Sequence, residues 1–252
     1  MDVDPGYLDV VHVSDSPDDI ICLLLVLLDL LRQKDVLDDA LSRLKKYYTH
    51  DLSAWQDPDA RAQYVTTSDL NDAPTVVQLA HLTNTPLLLP AAYLVCVRLG
   101  TKCWVADDGS VVKSPISSLS ILEQALLIHV KGSLTQACAT RALHLLAAVP
   151  CASCTSRGNC MAAREASLDA LRNKGYGYLR VPFVSDQNAF KPIAGELWNN
   201  NNWSRFCGSC REALVKADDS SLDALWKNVP HIFNVDIDMD SWRSGCLAGT
   251  GQ

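Results

Sequence analysis

Two groups of cysteines constrain the fold of this chain more than any other feature. Cys207 and Cys210 form a C-x-x-C pair, and an upstream group of Cys151, Cys154 and Cys160 offers either a C-x-x-C or a C-x5-C spacing. A C-x-x-C turn separates two sulfur atoms by about one edge of a metal tetrahedron, and Zn²⁺ takes four such ligands in structural sites. The spacing therefore predicts a structural zinc clip that joins two distant segments of the chain.

The predicted zinc ligands are Cys154, Cys160, Cys207 and Cys210. Cys160 is preferred because it opens a predicted helix, whose N-terminal amides favour a thiolate. Cys151 is the alternative ligand of the first group. Two other interpretations stay open: a set of scattered buried thiols, because free cysteine is among the most buried residues, and a redox pair.

Composition excludes several classes of protein. The first residues include Asp2 and Asp4 in place of a basic region, which argues against a secretory signal and predicts a reducing compartment, cytoplasmic or nuclear, for the ten cysteines. The longest apolar stretch, residues 20–31, is shorter than the roughly 20 residues that cross a bilayer and predicts a buried helix. A formal charge of -7 argues against a nucleic-acid partner.

The hydrophobic periodicity predicts a mainly α fold. One β-branched run, residues 10–13, predicts a strand, and a Ser120–Glu123 capping box predicts the start of a helix that ends near Gly132. Residues 102–113, with Asp108-Gly109 between two short apolar runs, fit a hairpin or a loop, and a loop is preferred. Further helices are predicted at residues 20–31, 35–48, 73–84, 90–100, 134–148 and 161–174 and after Cys207.

No catalytic residue is predicted, because none of the common catalytic motifs occurs in the sequence. Asp236, Asp238 and Asp240 alternate as in a calcium-binding loop. The sixth position of that loop is Ser241 instead of glycine and the twelfth is Leu247 instead of glutamate, so the EF-hand interpretation fails.

Several segments carry a family resemblance. Residues 11–19 (VHVSDSPDD) and 39–48 (DALSRLKKYY) resemble the later part of BTB/POZ domains from mushroom-forming fungi. The likeness continues into the helical region that follows those domains, through residues 77–84 (VQLAHLTN), 90–93 (PAAY), the Cys207–Cys210 pair and 225–233 (LWKNVPHIF).

The resemblance implies a multi-helix array with a remnant of an α/β BTB domain and a C-terminal helical region closed by the zinc clip. The dimerising helix and the strands that begin a BTB domain are absent before residue 10, so the BTB part is expected to be truncated. The implied organisation is a partial BTB segment at residues 1–50, a helical region at 51–150 and a cysteine-bearing helical region at 151–252.

The function that the resemblance implies is a non-enzymatic protein-protein interaction module, either an adaptor or a scaffold. By analogy with some BTB proteins, its partner would be a cullin-type ubiquitin ligase scaffold or a transcription regulator. The alternative hypothesis is a cysteine-dependent redox or hydrolytic enzyme that uses Cys207 or Cys210. A third hypothesis is a transcription-associated protein whose zinc region contacts nucleic acid. It is motivated by three basic residues near the cysteines, Arg157, Arg205 and Arg211, for which the preferred role is to offset the negative charge of a four-thiolate zinc site.

Overall fold

The computed structural model describes residues 33–65, 70–99, 115–173, 190, 192 and 203–242. Within these ranges the chain is mainly helical, as the sequence predicts, and no strand occurs. Among the helices of this described part, none is both long enough and apolar enough to cross a membrane. The predicted strand at residues 10–13, helix at 20–31 and loop at 102–113 lie outside the described residues. The BTB remnant therefore stays a prediction.

The chain divides into two compact units, Met1–Arg43 and Leu44–Gln252. In the first unit, residues 33–43 are helical, and an ion pair joins Asp39 Oδ2 to Arg43 Nε at 2.9 Å across one turn. In the second unit, residues 44–47 are helical. The division into three segments at residues 50 and 150 stays a prediction.

The second unit is built around one almost completely buried helix, α4 (Leu89–Leu99), in which only Arg98 is partly exposed. Helix α4 packs against α3 (Ala73–Leu82) and α5 (Ile121–Ala147), and α5 packs against α6 (Arg157–Asn173) and α7 (Gly208–Lys227). Short 3-10 turns occur at Leu70–Asp72, Pro86–Leu88 and Pro115–Ser118, and residues 239–242 form a last helical turn. The helices are α1 (Leu52–Gln56), α2 (Pro58–Ala62), α3 (Ala73–Leu82), α4 (Leu89–Leu99), α5 (Ile121–Ala147), α6 (Arg157–Asn173), α7 (Gly208–Lys227) and α8 (Val229–Ile232).

Helix α5 begins as predicted but does not end where the sequence suggests. The Ser120 side chain accepts from the Glu123 N–H and the Glu123 side chain accepts from the Ser120 N–H, which confirms the capping box. The predicted break at Gly132 is wrong, because α5 runs without interruption from Ile121 to Ala147, 27 residues in all. A helical glycine costs only about 1 kcal/mol relative to alanine. Burial of Val130 and Leu134 on either side of Gly132 offsets that cost.

Helix α6 begins earlier than predicted. It starts at Arg157 instead of residue 161, so Cys160 lies in its first turn and does not open it. The Cys160 N–H already donates to the Ser156 carbonyl at 3.0 Å. Helix α7 begins directly after Cys207, which is its N-cap residue in extended conformation, as the sequence predicts.

The C-terminal end of α7 is anchored in an aromatic cluster around Trp226. Its ring centroid lies 5.4 Å from that of Trp55, 5.0 Å from that of Phe190 and 5.6 Å from that of Trp242. The Trp226 indole N–H donates to the His50 carbonyl at 2.7 Å, so the ring is both packed and hydrogen-bonded. The N-terminal end of α7 lies beside the cysteines.

Candidate metal centre

Four cysteine sulfur atoms converge where two helices begin. Cys154 lies in the loop before α6 and Cys160 in the first turn of α6, while Cys207 caps α7 and Cys210 lies in its first turn. The four Sγ atoms all lie within 4.8 Å of one another. The structure therefore brings together the four cysteines that the sequence nominates, and it places them close enough to hold a metal ion.

The separation of the sulfur atoms is compatible with zinc. With Zn–S bonds of about 2.3 Å, a tetrahedral site separates its sulfur atoms by about 3.8 Å. The distance from Cys207 Sγ to Cys154 Sγ is 3.8 Å. The four ligand atoms are all sulfur, a soft donor set that selects zinc or an iron–sulfur cluster over magnesium or calcium.

The loop and both helix starts hold the cysteines in place through backbone hydrogen bonds. The Cys154 N–H donates to the Cys151 carbonyl at 3.1 Å, which closes the C-x-x-C turn. The Cys207 N–H donates to Cys160 Sγ at 3.3 Å and thereby links the two helix starts. Unpaired N–H groups and the helix dipole make both helix N-termini favourable places for a thiolate.

The environments of the four thiols differ. Cys160 and Cys210 are completely buried, and burial raises the pKa of both thiols. Cys207 is half-buried, and hydrogen bonds from the backbone N–H groups of Cys210 and Thr155 lower its pKa to about 5. A divalent cation bound by the four sulfur atoms would stabilise every thiolate. The donor set and its hydrogen bonds thus suit a structural cation.

A fifth cysteine, Cys151, lies beside the four. Its Sγ atom is 3.5 Å from Cys210 Sγ and 3.5 Å from the Ser153 hydroxyl, while its N–H donates to Cys210 Sγ at 3.4 Å. A hydrogen bond from Ser153 lowers the pKa of the Cys151 thiol. The Cys151 sulfur atom is not part of the four-atom group in which all separations are short.

The other described cysteines lie in the helical core. Cys96 in α4 and Cys138 in α5 are buried, and burial raises the pKa of Cys96 to about 12 and that of Cys138 to about 11. Both thiols therefore stay protonated at neutral pH and have little nucleophilicity. Cys22, Cys103 and Cys246 lie outside the described residues.

Sequence reasoning missed the residues that support the cysteines. Thr155 and Ser153 act through hydrogen bonds that depend on the conformation of the loop, and no spacing in the sequence signals them. It also missed a cluster of His81, Tyr93 and Glu123 in another part of the unit. There the Tyr93 hydroxyl donates to Glu123 Oε1 at 3.0 Å. The capping box was the available signal, because it fixes the position of Glu123 at the start of α5.

Comparison of the chain with known protein families, with curated proteins and with solved structures finds no match in any of the three. The resemblance to BTB/POZ proteins is therefore carried by the quoted sequence segments alone.

Proposed function

We propose that the chain is a non-enzymatic protein-protein interaction module, a BTB-related adaptor or scaffold whose C-terminal helices are held by a structural zinc ion. The observation that carries the proposal is the convergence of Cys154, Cys160, Cys207 and Cys210, with all four Sγ atoms within 4.8 Å of one another. Four protein ligands fill a tetrahedral zinc site, whereas catalytic zinc keeps one position open for water or substrate.

A zinc ion bound there would act as a cross-link. It would fasten the loop before α6 and the first turn of α6 to the first turn of α7, since each element supplies part of the ligand set. When bound, the ion contributes folding free energy and no reaction chemistry. The residues of this chain would orient the four sulfur atoms and exclude water from Cys160 and Cys210, both of which are buried.

Exposed apolar side chains support the interaction role. Leu82, Ile121 and Leu122 are 84%, 83% and 83% exposed. Ile121 and Leu122 are neighbours in the sequence, and exposed apolar surface is a common feature of sites that bind another protein. The adaptor role itself, and a cullin-type ubiquitin ligase scaffold as a partner, come from the BTB resemblance and are part of the proposal.

Metal analysis of the purified chain tests the zinc clip. We expect about one zinc ion per wild-type chain and almost none in Cys207→Ser or Cys210→Ser, since removal of one thiolate opens the tetrahedron. Cys138→Ser is the matched control, because it removes a buried thiol from α5 and should leave the zinc content unchanged. Metal-free wild type with freely titratable thiols, or full zinc content in Cys207→Ser, would overturn the clip.

The adaptor role is tested by direct binding. A protein that co-purifies with the chain should bind it again when both are purified separately, at a fixed stoichiometry and without being chemically altered. Turnover of a bound protein or small molecule by the zinc-loaded chain would contradict the non-enzymatic assignment.

One observation favours a second candidate, the cysteine-dependent redox or hydrolytic enzyme. The pKa of Cys207, lowered to about 5 by two backbone N–H donors, is typical of a reactive thiolate. Cys210 is less suited to that role, because it is buried and its pKa is raised. Rapid alkylation of Cys207 by iodoacetamide in the native, metal-replete protein would favour the enzyme, since zinc-bound thiolates react slowly.

A further inference from the structure

A cavity unrelated to the cysteines opens between α3, α4, α5 and the segment that follows α8. Its volume is about 410 Å³. Volumes of roughly 300 to 1,000 Å³ are usual for binding pockets. Its apolar wall includes Leu89, Leu122, Leu126 and Phe233, and Glu123 and Asp236 contribute carboxylates to the lining. The cavity therefore combines an apolar interior with negative charge.

One of the apolar residues that line the cavity is highly exposed. Leu122 lines it and is 83% exposed. Two further apolar side chains lie next to lining residues in the sequence: Ile121 beside Leu122, and Leu82 beside His81, with exposures of 83% and 84%. Such side chains gain about 25 cal/mol for each Å² of apolar surface that a partner covers. Leu122 therefore offers apolar surface at the cavity that a partner could cover.

The lining is preformed instead of flexible. Glu123 accepts hydrogen bonds from the Ser120 N–H at 2.9 Å and from the Tyr93 hydroxyl at 3.0 Å. The Tyr93 ring stacks on Phe233 with centroids 5.4 Å apart. A wall that is already ordered loses little conformational entropy when a ligand binds.

The described lining carries more acidic than basic side chains. Among the described residues that line the cavity there is no lysine or arginine; the acidic residues are Glu123 and Asp236, and His81 contacts Glu123 Oε1 through its Nε2 at 3.2 Å. Asp236 is exposed. The chain then continues past the rim through exposed Asp238 and Asp240. This is the aspartate series that fails as a calcium loop, and its first member, Asp236, lines the cavity.

A tight turn directs this acidic segment to the rim. Asn234 has φ 50°, a left-handed conformation that asparagine tolerates, and the Val235 N–H donates back to the Pro230 carbonyl at 2.9 Å. Asp238 accepts from the Ser241 N–H at 3.1 Å, which fixes the far end of the segment. The segment that carries Asp236 is therefore held at both ends.

We propose that this cavity binds a peptide segment of a partner protein, inserting one bulky apolar side chain beside Leu122 and Phe233 and placing a lysine or arginine against Asp236. The inference rests on the proposed interaction function and specifies the chemistry of the partner. Complementary charge at the rim selects the basic segment, and the buried apolar anchor supplies most of the affinity.

Synthetic peptide libraries test the proposal on the zinc-loaded full chain. The first library fixes one leucine, phenylalanine or tryptophan with a lysine or arginine two to four positions away, and the second replaces the basic residue with aspartate or glutamate. We expect fluorescence polarisation to detect binding of the first library only, and higher salt to weaken it because rim charges are screened.

Three variants locate the site. Asp236→Lys should weaken binding of the basic peptides by about tenfold because it places like charges together. Leu122→Glu should weaken it by about tenfold because it removes apolar contact. The matched control is Ile128→Glu, which changes an exposed side chain of the same helix outside the lining and should keep the affinity within about twofold. Zinc content and circular dichroism establish that each variant is folded.

Three results would overturn the proposal. The first is equal binding of both libraries, and the second is a loss of affinity in Ile128→Glu as large as that in Leu122→Glu. The third is a dimer of the chain that Leu122→Glu dissociates, because a second copy would then occupy the surface. If a purified partner binds while both libraries fail, this inference is wrong and the proposed function stands. If the basic library binds as expected but no partner protein is found, the site is supported and the adaptor function is lost.

Discussion

Cys151 and Cys154 share one C-x-x-C turn, but their sulfur atoms have different neighbours. Cys154 Sγ lies 3.8 Å from Cys207 Sγ and belongs to the group of four. Cys151 Sγ lies outside that group and contacts Cys210 Sγ at 3.5 Å. The Cys151 backbone N–H donates to the same Cys210 sulfur at 3.4 Å. The backbone of Cys151 therefore supports the site in a way that does not require its thiol.

This difference predicts unequal effects of two serine substitutions. Cys151→Ser keeps the N–H donor to Cys210 and should retain about one zinc ion per chain, whereas Cys154→Ser should lose the metal. Elemental analysis of the two purified variants, compared with the wild type, measures the result. Loss of zinc in Cys151→Ser together with its retention in Cys154→Ser would assign the first ligand position to Cys151 instead.

A buried ion pair between α5 and α7 is the second residue-level feature. Arg141 Nε donates to Asp218 Oδ1 at 3.0 Å, and the two side chains are only 3% and 1% exposed. Arg141 Nε also contacts the Ser221 hydroxyl at 3.2 Å. Removal of one partner of such a pair leaves an uncompensated buried charge, which is far more costly than loss of the attraction alone.

We therefore expect Asp218→Leu to lower the free energy of unfolding by about 3 to 5 kcal/mol in urea titrations. The double variant with Arg141→Met should recover most of that loss, because both charges are then replaced by apolar groups. Arg43→Met is the control, since it breaks an exposed ion pair with Asp39 and should cost less than about 1 kcal/mol. A double variant no more stable than Asp218→Leu would contradict this account.

At the level of the elements, two helix starts were predicted from local signals and two predictions failed. The Ser120–Glu123 capping box and the helix after Cys207 are both observed. The break at Gly132 was wrong because burial on both sides of the glycine outweighs its low helix propensity, and burial depends on distant segments. The start of α6 was placed too late, because Arg157 and Gly158 carry no strong start signal.

The contrast between local sequence signals and contacts of distant segments applies also to the two candidate sites. The convergence of the cysteines was predictable, because a C-x-x-C pair and a second cysteine group have few common uses besides metal binding. The cavity was not predictable, since its lining comes from α3, α4, α5 and the segment after α8, and no local pattern reports that these segments meet. The contact of Cys151 with Cys210 was missed for the same reason.

The cap of α5 predicts a stability effect that depends on pH. Burial alone would raise the pKa of Glu123, but hydrogen bonds from Ser120, Tyr93 and His81 hold it below its usual value. A lowered pKa means that this carboxylate stabilises the folded chain above its unfolded pKa of about 4.3, and that the contribution is lost as the pH falls through the folded value.

Ser120→Ala should accordingly lower the free energy of unfolding by about 1 kcal/mol at pH 7, because the helix loses its N-cap. The difference between variant and wild type should shrink as the pH falls through the folded-state pKa of Glu123, because the carboxyl group is then protonated in both proteins. Urea titrations of the two proteins at each pH measure it, and metal loss in acid affects both alike. Ser117→Ala, an exposed serine shortly before the cap, is the control. A difference that grows in acid would contradict the assignment.

At the scale of the whole second unit, α7 is held at its two ends by different means. Its C-terminal end carries Trp226, whose indole packs against Trp55 and Trp242 and donates to the His50 carbonyl. Its N-terminal end carries Cys207 and Cys210 beside Cys160. Between the two ends lies the ion pair from Asp218 to Arg141. A metal ion at the cysteines would thus stabilise one end of a helix whose other end is already anchored by packing.

Removal of the metal should therefore loosen the second unit locally and leave the rest folded. Structural zinc contributes on the order of 10 kcal/mol where the apo domain is unfolded. Here α5 and Trp226 keep their own packing, so the global loss should be smaller. Hydrogen exchange after chelation should speed up in residues 151–160 and 206–214, with residues 121–147 and the region of Trp226 unchanged.

Cys207→Ser without chelator should reproduce the same exchange pattern, and chelator should add nothing further to that variant. This comparison separates the loss of zinc from any direct effect of the chelator on the chain. Uniform acceleration across α5 and α7 would mean that the metal supports the whole unit, because exchange then reports global instead of local opening. Unchanged exchange in residues 151–160 would mean that the loop is held without metal, and the zinc clip would have no structural role.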